Sequence, residues 1–293
     1  MADLLSHPGN RRARLRALLA AGEPLLAPGA YDALTARLVE QAGFDAVYMT
    51  GFGTTASLLG RPDVGLLGQA EMADNARRMA AVVDVPLIAD ADTGYGNPIN
   101  VVRTVREYEQ AGVAALHLED QVAPKRCGHM SGKQVVPSAE MEAKIRAATD
   151  ARTDPDLVII ARTDVVQVDG VDAGIDRARR YADAGADVLF VEAPTSEADI
   201  EKIAGALAGH RLLFNWAEGG RTPELTLPRL RELGFALVLF PISTLLAATG
   251  AVRGALERLR TDGTPTPEPG ALDEFARLVG VDEVRALEER YRA

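Results

Sequence analysis

The chain of 293 residues has a single cysteine, Cys127, which excludes an intramolecular disulfide. A lone thiol is then either a buried small hydrophobe or a reactive group. Positive charge is the minority sign: 32 Lys+Arg against 42 Asp+Glu give a net charge of −10. That balance argues against a dedicated nucleic-acid or anionic-membrane surface and confines any anion site to a local pocket. Lysine is especially scarce, occurring only at positions 125, 133, 144 and 202. Long apolar runs are missing too. The most apolar stretch, Phe235 to Ala248, is interrupted by Pro241, Ser243 and Thr244 and falls short of the roughly 20 residues a spanning helix needs. The start, Met1 to Arg16, lacks the apolar core of a secretory signal. These absences lead to the expectation of a soluble, cytoplasmic protein without nucleic-acid or membrane partners. With 47% apolar and 25% charged residues, the composition is that of an ordinary globular chain.

Short runs rich in Val, Ile, Leu and Phe recur along the sequence, each followed by helical spacing. Strands are expected at Pro24–Ala27, Ala46–Thr50, Pro86–Asp90, Ala115–Glu119, Leu157–Arg162, Asp187–Glu192, Arg211–Asn215 and Ala236–Pro241. Between them, Tyr31–Ala42 and Ile175–Ala184 show the three-and-four spacing of amphipathic helices. Segments such as Ala-Gly-Phe-Asp (42–45) and Ala-Gly-Ala-Asp (184–187) put a glycine where a helix turns into a strand. Eight strand–helix units over about 250 residues predict an α/β protein built as a closed (β/α)8 barrel. A doubly wound sheet would carry a glycine-rich phosphate loop after its first strand, and Ala27-Pro28-Gly29-Ala30 is not one. The surplus length falls in Gly51–Ala70 and Asp120–Pro137, and loops that long are usually functional. The barrel is assigned to residues 1–260. Residues 261–293 form a proline-rich linker (Thr261–Gly270) and a helical arm with Leu272, Phe275, Val279, Val284, Leu287 and Tyr291 on its apolar stripe. The stripe suits packing on another subunit and packing back on the parent barrel equally well.

Carboxylates collect where the barrel places strand ends. Asp90 and Asp92 stand two apart and so project to the same side, and Glu119 closes the fourth strand. Grouped acids repel unless a cation lies among them, and oxygen-only ligands suit Mg²⁺ or Mn²⁺. The plain alternative is that Asp90 or Asp92 caps a turn. Arg162 ends an apolar run at the fifth strand and suits a bidentate clamp on a substrate carboxylate, or a structural ion pair with Glu119 or Glu192. Glu192 and Asn215 finish the next two strands and would orient the substrate or Arg162. The segment Lys125-Arg126-Cys127-Gly128-His129-Met130-Ser131-Gly132-Lys133 sets the only thiol among cations and glycines, a setting that lowers a thiol pKa and permits movement. His129 has no partner at zinc-ligand spacing. His117, on a strand, reads as a core or supporting histidine.

In their order, Asp-Ala-Asp-Thr-Gly-Tyr-Gly (90–96), Leu-Glu-Asp-Gln (118–121), Lys-Arg-Cys-Gly-His (125–129) and Ala-Arg-Thr-Asp (161–164) resemble the isocitrate lyase/phosphoenolpyruvate mutase superfamily. The likeness runs from about Pro28 to Leu259 and is greatest to the short methylisocitrate and 2-alkylmalate lyases. It implies a Mg²⁺-dependent barrel assembled as a homotetramer, a dimer of dimers exchanging the eighth helix. By position it implies that Asp90, Asp92 and Glu119 surround the metal, with Asp63 near its waters. Thr50, Gly51 and Phe52 would grip the 2-oxo acid half of the substrate. Arg162, Glu192 and Asn215 would complete that pocket, with Gly128 and Trp216 beside it. Cys127 would be the general acid on a closing loop, flanked by Lys125 and His129, and Tyr48 would help deprotonate the substrate hydroxyl. The implied reaction is a retro-aldol cleavage of a 2-hydroxy di- or tricarboxylate to a 2-oxo acid such as pyruvate and a carboxylate.

The chain departs from dedicated methylisocitrate lyases after its seventh strand, where it reads Asn215-Trp-Ala-Glu-Gly-Gly-Arg-Thr-Pro223. Trp216 and Phe52 are also larger than the residues usual there, and both are expected to reshape the pocket. Two neighbouring activities stay open: oxaloacetate hydrolysis or decarboxylation, and carboxyphosphonoenolpyruvate phosphonomutase chemistry. A non-enzymatic binding protein would give three acids, an arginine and a flanked thiol no reason to meet at one barrel mouth.

Overall fold

In the computed structural model, residues 4–5, 9–126, 128, 132–264 and 271–292 are described. Eight parallel strands close in chain order: β1 (Leu25–Ala30), β2 (Val47–Met49), β3 (Leu87–Asp90), β4 (Ala115–Glu119), β5 (Val158–Thr163), β6 (Val188–Val191), β7 (Leu212–Asn215) and β8 (Phe235–Phe240), which returns to β1. The helices are α1 (Arg11–Leu19), α2 (Ala33–Gln41), α3 (Gly51–Leu59), α4 (Gln69–Ala80), α5 (Pro98–Ala111), α6 (Ser138–Ala151), α7 (Val166–Asp183), α8 (Glu197–Ala206), α9 (Leu227–Glu232), α10 (Ser243–Asp262), α11 (Ala271–Leu278) and α12 (Val281–Arg290). The expected (β/α)8 barrel is therefore the fold. The first strand extends further than its composition suggested, through Pro28 and Gly29. There, pairing of Leu25 through Pro28 with Leu237 through Phe240 overrides weak local preference.

Strand alternation explains both the core and the site. Side chains two apart share a face, and the inward face carries Ala46 and Tyr48, Ile88, Ile160, Val188 and Phe190, Leu213, and Leu237 and Leu239, all in one buried cluster. Continuing the same parity towards the carboxyl ends brings Asp90, His117, Glu119, Arg162, Glu192 and Asn215 inward. Apolar residues fill the lower barrel, and the polar ones stack above them.

Helix α1 was not expected from its arginine-rich sequence. It closes the amino-terminal end of the barrel with Leu15 and Leu19, both buried in the inward cluster. Its arginines cover the polar rim: Arg11 donates to the carbonyls of Ala80 and Val83, Arg12 to those of Val113 and Glu109, and Arg16 to those of Asp156 and Leu157. The first half of the long segment after β2 is likewise helical. Thr50 starts α3 by accepting a hydrogen bond from Gly53 N at 3.2 Å, and Gly60 ends it with a left-handed φ of 60°.

After β8, α10 has no buried residue, and Leu246, Val252 and Leu256 are exposed along it. In the arm, the break expected at Gly280 separates α11 from α12, and Leu272 is 80% exposed. No helix among the described residues is long and apolar enough to cross a membrane.

Candidate active site at the strand carboxyl ends

A cavity of ≈ 240 Å³ opens at the carboxyl ends of the strands. Tyr48, Thr50, Phe52, Asp63, Asp90, Lys125, Gly128, Arg162, Glu192 and Asn215 all line it. Ala217, Glu218, Gly219, Pro241 and Ile242 complete the wall. The cavity is two-sided, with carboxylates and cations from β3, β5 and β6 facing an apolar surface of Phe52, Ala217, Pro241 and Ile242.

At the end of β3, Asp92 N donates to Asp90 Oδ1 at 2.9 Å, which fixes a tight turn with Asp92 at a φ of 47°. Lys125 reaches into this acidic corner and binds Asp63 Oδ2 at 2.5 Å and Asp92 Oδ1 at 2.8 Å. Burial raises the Asp92 carboxyl, and Asp90 and Asp63 add repulsion, so that it is pushed up to about 6 even with Lys125 beside it. Burial also acts against Asp90, but His117, Lys125 and Arg162 outweigh it and hold that carboxyl below its usual range. The converse holds for Lys125: burial opposes its charge, and Asp92, Asp90, Glu119 and Asp63 more than offset it. Gly51 packs directly on Asp90; a Cβ there would overlap the carboxylate oxygen Oδ2.

Arg162 anchors the opposite side. Its Nε and Nη2 form a fork on Asp164 at 2.9 and 3.0 Å, Nη1 lies 3.1 Å from Glu119 Oε2, and Nη2 lies 3.9 Å from Glu192. The guanidinium also sits over the Phe190 ring, 5.1 Å from its centre. Asn215 Nδ2 donates to both Glu192 oxygens at 3.3 Å, while its own carbonyl oxygen is buried without a partner among the described residues. Tyr48 Oη lies 2.9 Å from His117 Nε2. Burial and then Asp90 push the phenol well above its ordinary value, while burial lowers His117 against the opposing pull of Asp90.

Of the three expected metal ligands, Asp90 faces the cavity and Asp92 stands directly behind it with Lys125. Glu119 is drawn to Arg162 and to Gln121 Nε2, at 2.9 Å from the latter. Among the described residues no three His, Cys, Asp or Glu side chains converge on one point. The donors present are all oxygen and exceed the cations around them, which fits a hard divalent ion that takes one or two carboxylates and completes its shell with water and substrate.

Trp216 is not in the cavity. It follows Asn215 with the opposite parity, turns outward and packs on Phe240, with ring centres 5.3 Å apart. The expectation that it shapes the pocket is corrected accordingly. Cys127 and His129 lie outside the described residues. Sequence reasoning overlooked Asp164, although Ala-Arg-Thr-Asp contains it: two residues beyond Arg162, strand parity aims it at the same guanidinium. Gln121 was also overlooked as a brace. Its amide takes a hydrogen bond from Arg126 N at 2.9 Å and donates to Arg126 O at 2.8 Å as well as to Glu119.

This geometry is that of a (β/α)8 barrel with a charged cavity at the carboxyl ends of its strands, and a family model makes the assignment specific. Residues 15–260 match the phosphoenolpyruvate phosphomutase family, so the chain belongs to the phosphoenolpyruvate mutase/isocitrate lyase superfamily. It is similar to 2,3-dimethylmalate lyase of Eubacterium barkeri, with 45% identity over 96% of this chain and 98% of that protein. A crystal structure of 2,3-dimethylmalate lyase superposes with a TM-score of 0.92, at 42% identity over 96% of this chain and 95% of that one. A probable 2-methylisocitrate lyase of Corynebacterium glutamicum is 47% identical over 96% of this chain and 91% of its own length. The structure of oxaloacetate acetylhydrolase with 3,3-difluorooxalacetate matches with a TM-score of 0.91 and 41% identity, covering 97% and 98% of the two chains. Relatives named as lyases support a carbon–carbon lyase.

Proposed function

We propose that the protein cleaves the C2–C3 bond of a 2-hydroxycarboxylate of the methylisocitrate or 2-alkylmalate type, giving a 2-oxo acid such as pyruvate and a second carboxylate. One observation carries the reading: the charged side of the cavity (Asp90, Lys125, Arg162, Glu192) faces the apolar side (Phe52, Pro241, Ile242). The first suits the hydroxy acid group, and the second suits an alkyl substituent. Mg²⁺, held through Asp90 and Asp92 with Asp63 and Glu119 behind them, would supply the positive charge that makes loss of the hydroxyl proton affordable.

The chain's own residues do the rest. Arg162, already oriented by Asp164 and Glu119, presents its remaining N–H groups to a substrate carboxylate. Tyr48 takes the hydroxyl proton as its own phenolic proton passes to His117 Nε2, and Asn215 offers its free carbonyl oxygen to a substrate donor. As the C2–C3 electron pair leaves C2, which becomes the 2-oxo carbon, negative charge builds on the C3 fragment and its carboxylate. Lys125 and Arg162 supply a positive field for that charge. Cys127 is assigned the protonation of C3, and closure of its loop excludes the water that would otherwise quench the carbanion. The exposed apolar residues of α10 and of the arm support assembly as a homotetramer.

Oxaloacetate hydrolysis to oxalate and acetate is the second reading, supported by the likeness to oxaloacetate acetylhydrolase. A proton NMR time course with Mg²⁺ separates the two, using 2-methylisocitrate, 2-alkylmalates, isocitrate and oxaloacetate, with Cys127→Ser alongside. A 2-oxo acid formed from a hydroxy acid and lost in the variant supports the lyase. Turnover of oxaloacetate alone supports the hydrolase, and silence on the whole panel rejects both.

A further inference from the structure

Three of the four lysines are buried, and one of them, Lys144 on α6, stands outside the cavity. A buried ammonium is unfavourable unless it is hydrogen-bonded. Lys144 Nζ donates to the Thr93 carbonyl at 3.1 Å, while Glu140 of the same helix, its ion-pair partner, is 3.9 Å away and exposed. Its close bond therefore goes to the turn that follows β3 and carries Asp92. That turn is held along its whole length. Tyr108 Oη donates to the Asp90 carbonyl at 3.1 Å, Gly94 N to that of Ala91 at 2.9 Å, Glu119 N to that of Asp92 at 2.9 Å and Thr104 Oγ1 to that of Gly94 at 3.0 Å. With Lys144, five successive carbonyls are occupied, three of them by side chains of α5 and α6. The turn depends on such support. Asp92 (φ 47°) and Tyr95 (φ 58°) are left-handed without being glycine, a conformation that persists only where surrounding contacts over-determine it. The directions of the Asp90 and Asp92 carboxylates are thus set from behind, by residues that do not line the cavity.

We propose that Lys144 is a positioning residue for the divalent cation: through the Thr93 carbonyl it keeps the turn after β3 in the form that presents Asp90 and Asp92, with Tyr108 as a second brace at Asp90. This role rests on the reading that a cation binds at those two carboxylates. The sign of the effect separates positioning from charge. Lys144 interacts electrostatically with Asp120 and Glu119 as well as with Glu140. A positive charge so placed repels a second cation, so removing it would tighten metal binding if charge alone mattered. Removing a brace does the opposite and weakens it.

The test is a titration of the full chain with Mn²⁺ alone, followed by the electron paramagnetic resonance signal of the free ion, for wild type, Lys144→Met, Lys144→Arg, Tyr108→Phe and Leu15→Ala. A hydrogen bond from a charged donor shifts the balance between a held and an open turn by roughly ten- to a hundredfold, and one from a neutral phenol by roughly two- to tenfold. Apparent affinity falls with the fraction of molecules in the presenting form. The Mn²⁺ dissociation constant should therefore rise at least fivefold in Lys144→Met and at least threefold in Tyr108→Phe. Lys144→Arg, which keeps a charged donor, should fall between wild type and Lys144→Met. Leu15→Ala, a core truncation at the opposite end of the barrel, should bind within twofold of wild type. A constant within twofold of wild type in Lys144→Met, or tighter binding there, overturns the proposal. So does an equal loss in Leu15→Ala, which would mark the effect as general loosening. Wild-type protein that binds no Mn²⁺ rejects the cation at Asp90 and Asp92 and, with it, the role of Lys144. Should Lys144→Met fail to fold, Tyr108→Phe decides alone: binding at least threefold weaker supports the brace, and binding within twofold of wild type rejects it.

Discussion

Gly51→Ala puts the placement of Asp90 to a direct test. Gly51 is the first residue of α3, where alanine would by itself stabilise a helix by about 0.5–1 kcal/mol. Against this, the added Cβ overlaps Asp90 Oδ2, and the obstacle is short and tethered: Asp90 sits on a strand end, with Oδ1 already bonded to Asp92 N. Overpacking of that kind costs about 1–3 kcal/mol, so the clash outweighs the helix gain by roughly 0–2.5 kcal/mol. For a chain of this size that corresponds to a melting temperature lower by about 0–10 °C. The functional loss should be far larger than the stability loss. Displacing a group that aligns the reaction by about 1 Å costs on the order of 10² in rate, so kcat/KM in the NMR assay should fall by about that factor. Gly254→Ala, on α10 with only the Arg258 side-chain tip nearby at 3.5 Å, is the control and should match wild type. A Gly51→Ala enzyme with kcat/KM within threefold of wild type would refute the assignment of Asp90 to the reacting corner.

Leu15→Ala should cost about 2–5 kcal/mol, because a fully buried leucine plugs the barrel end; a calorimetric melting temperature within 1 °C of wild type would contradict the role given to α1. Glu109 accepts hydrogen bonds from Thr153 N and Asp154 N and faces Arg12; burial opposes its charge, but these partners outweigh it and hold the carboxyl below its usual range. A depressed carboxylate stabilises above its unfolded pKa of about 4.3 and loses that stabilisation as pH falls through its folded value. The melting-temperature gap between wild type and Glu109→Gln should therefore be full at pH 6–7 and shrink towards pH 3, and a gap independent of pH would count against the pairing. Trp216→Met should lower thermal stability through lost packing on Phe240 and leave the profile across 2-alkylmalates unchanged. A broadened profile would restore Trp216 to the pocket.

Alternation and helical spacing made the barrel legible because every strand is buried on both faces and reads as an apolar run. The inward acids and Arg162 were legible because each ends such a run. What escaped did so for physical reasons. Helix α1 has four arginines in nine residues, and only Leu15 and Leu19, one turn apart, announce a buried stripe. Helix α3 begins Gly-Phe-Gly-Thr-Thr, poor helix formers held helical by the Thr50 cap and by contact with α4 and β1. Trp216 was misplaced because composition identifies a large residue beside the site, whereas its side is decided by parity at the strand end. Asp164 and Gln121 act through other residues, and a sequence without its register does not show which residues those are.

Helix α1 has a consequence for the order of assembly. It is made before the strands it closes and is among the last elements to be satisfied: Arg12 bonds Asp154, 142 positions later, and Arg16 bonds Asp187, 171 positions later. Until then Leu15 has no interior to enter, and the closing seam between β1 and β8 awaits nearly the whole barrel. Contacts so distant along the chain slow folding. Leu15 and Leu19 of α1 therefore stay unburied until the barrel they plug has been made.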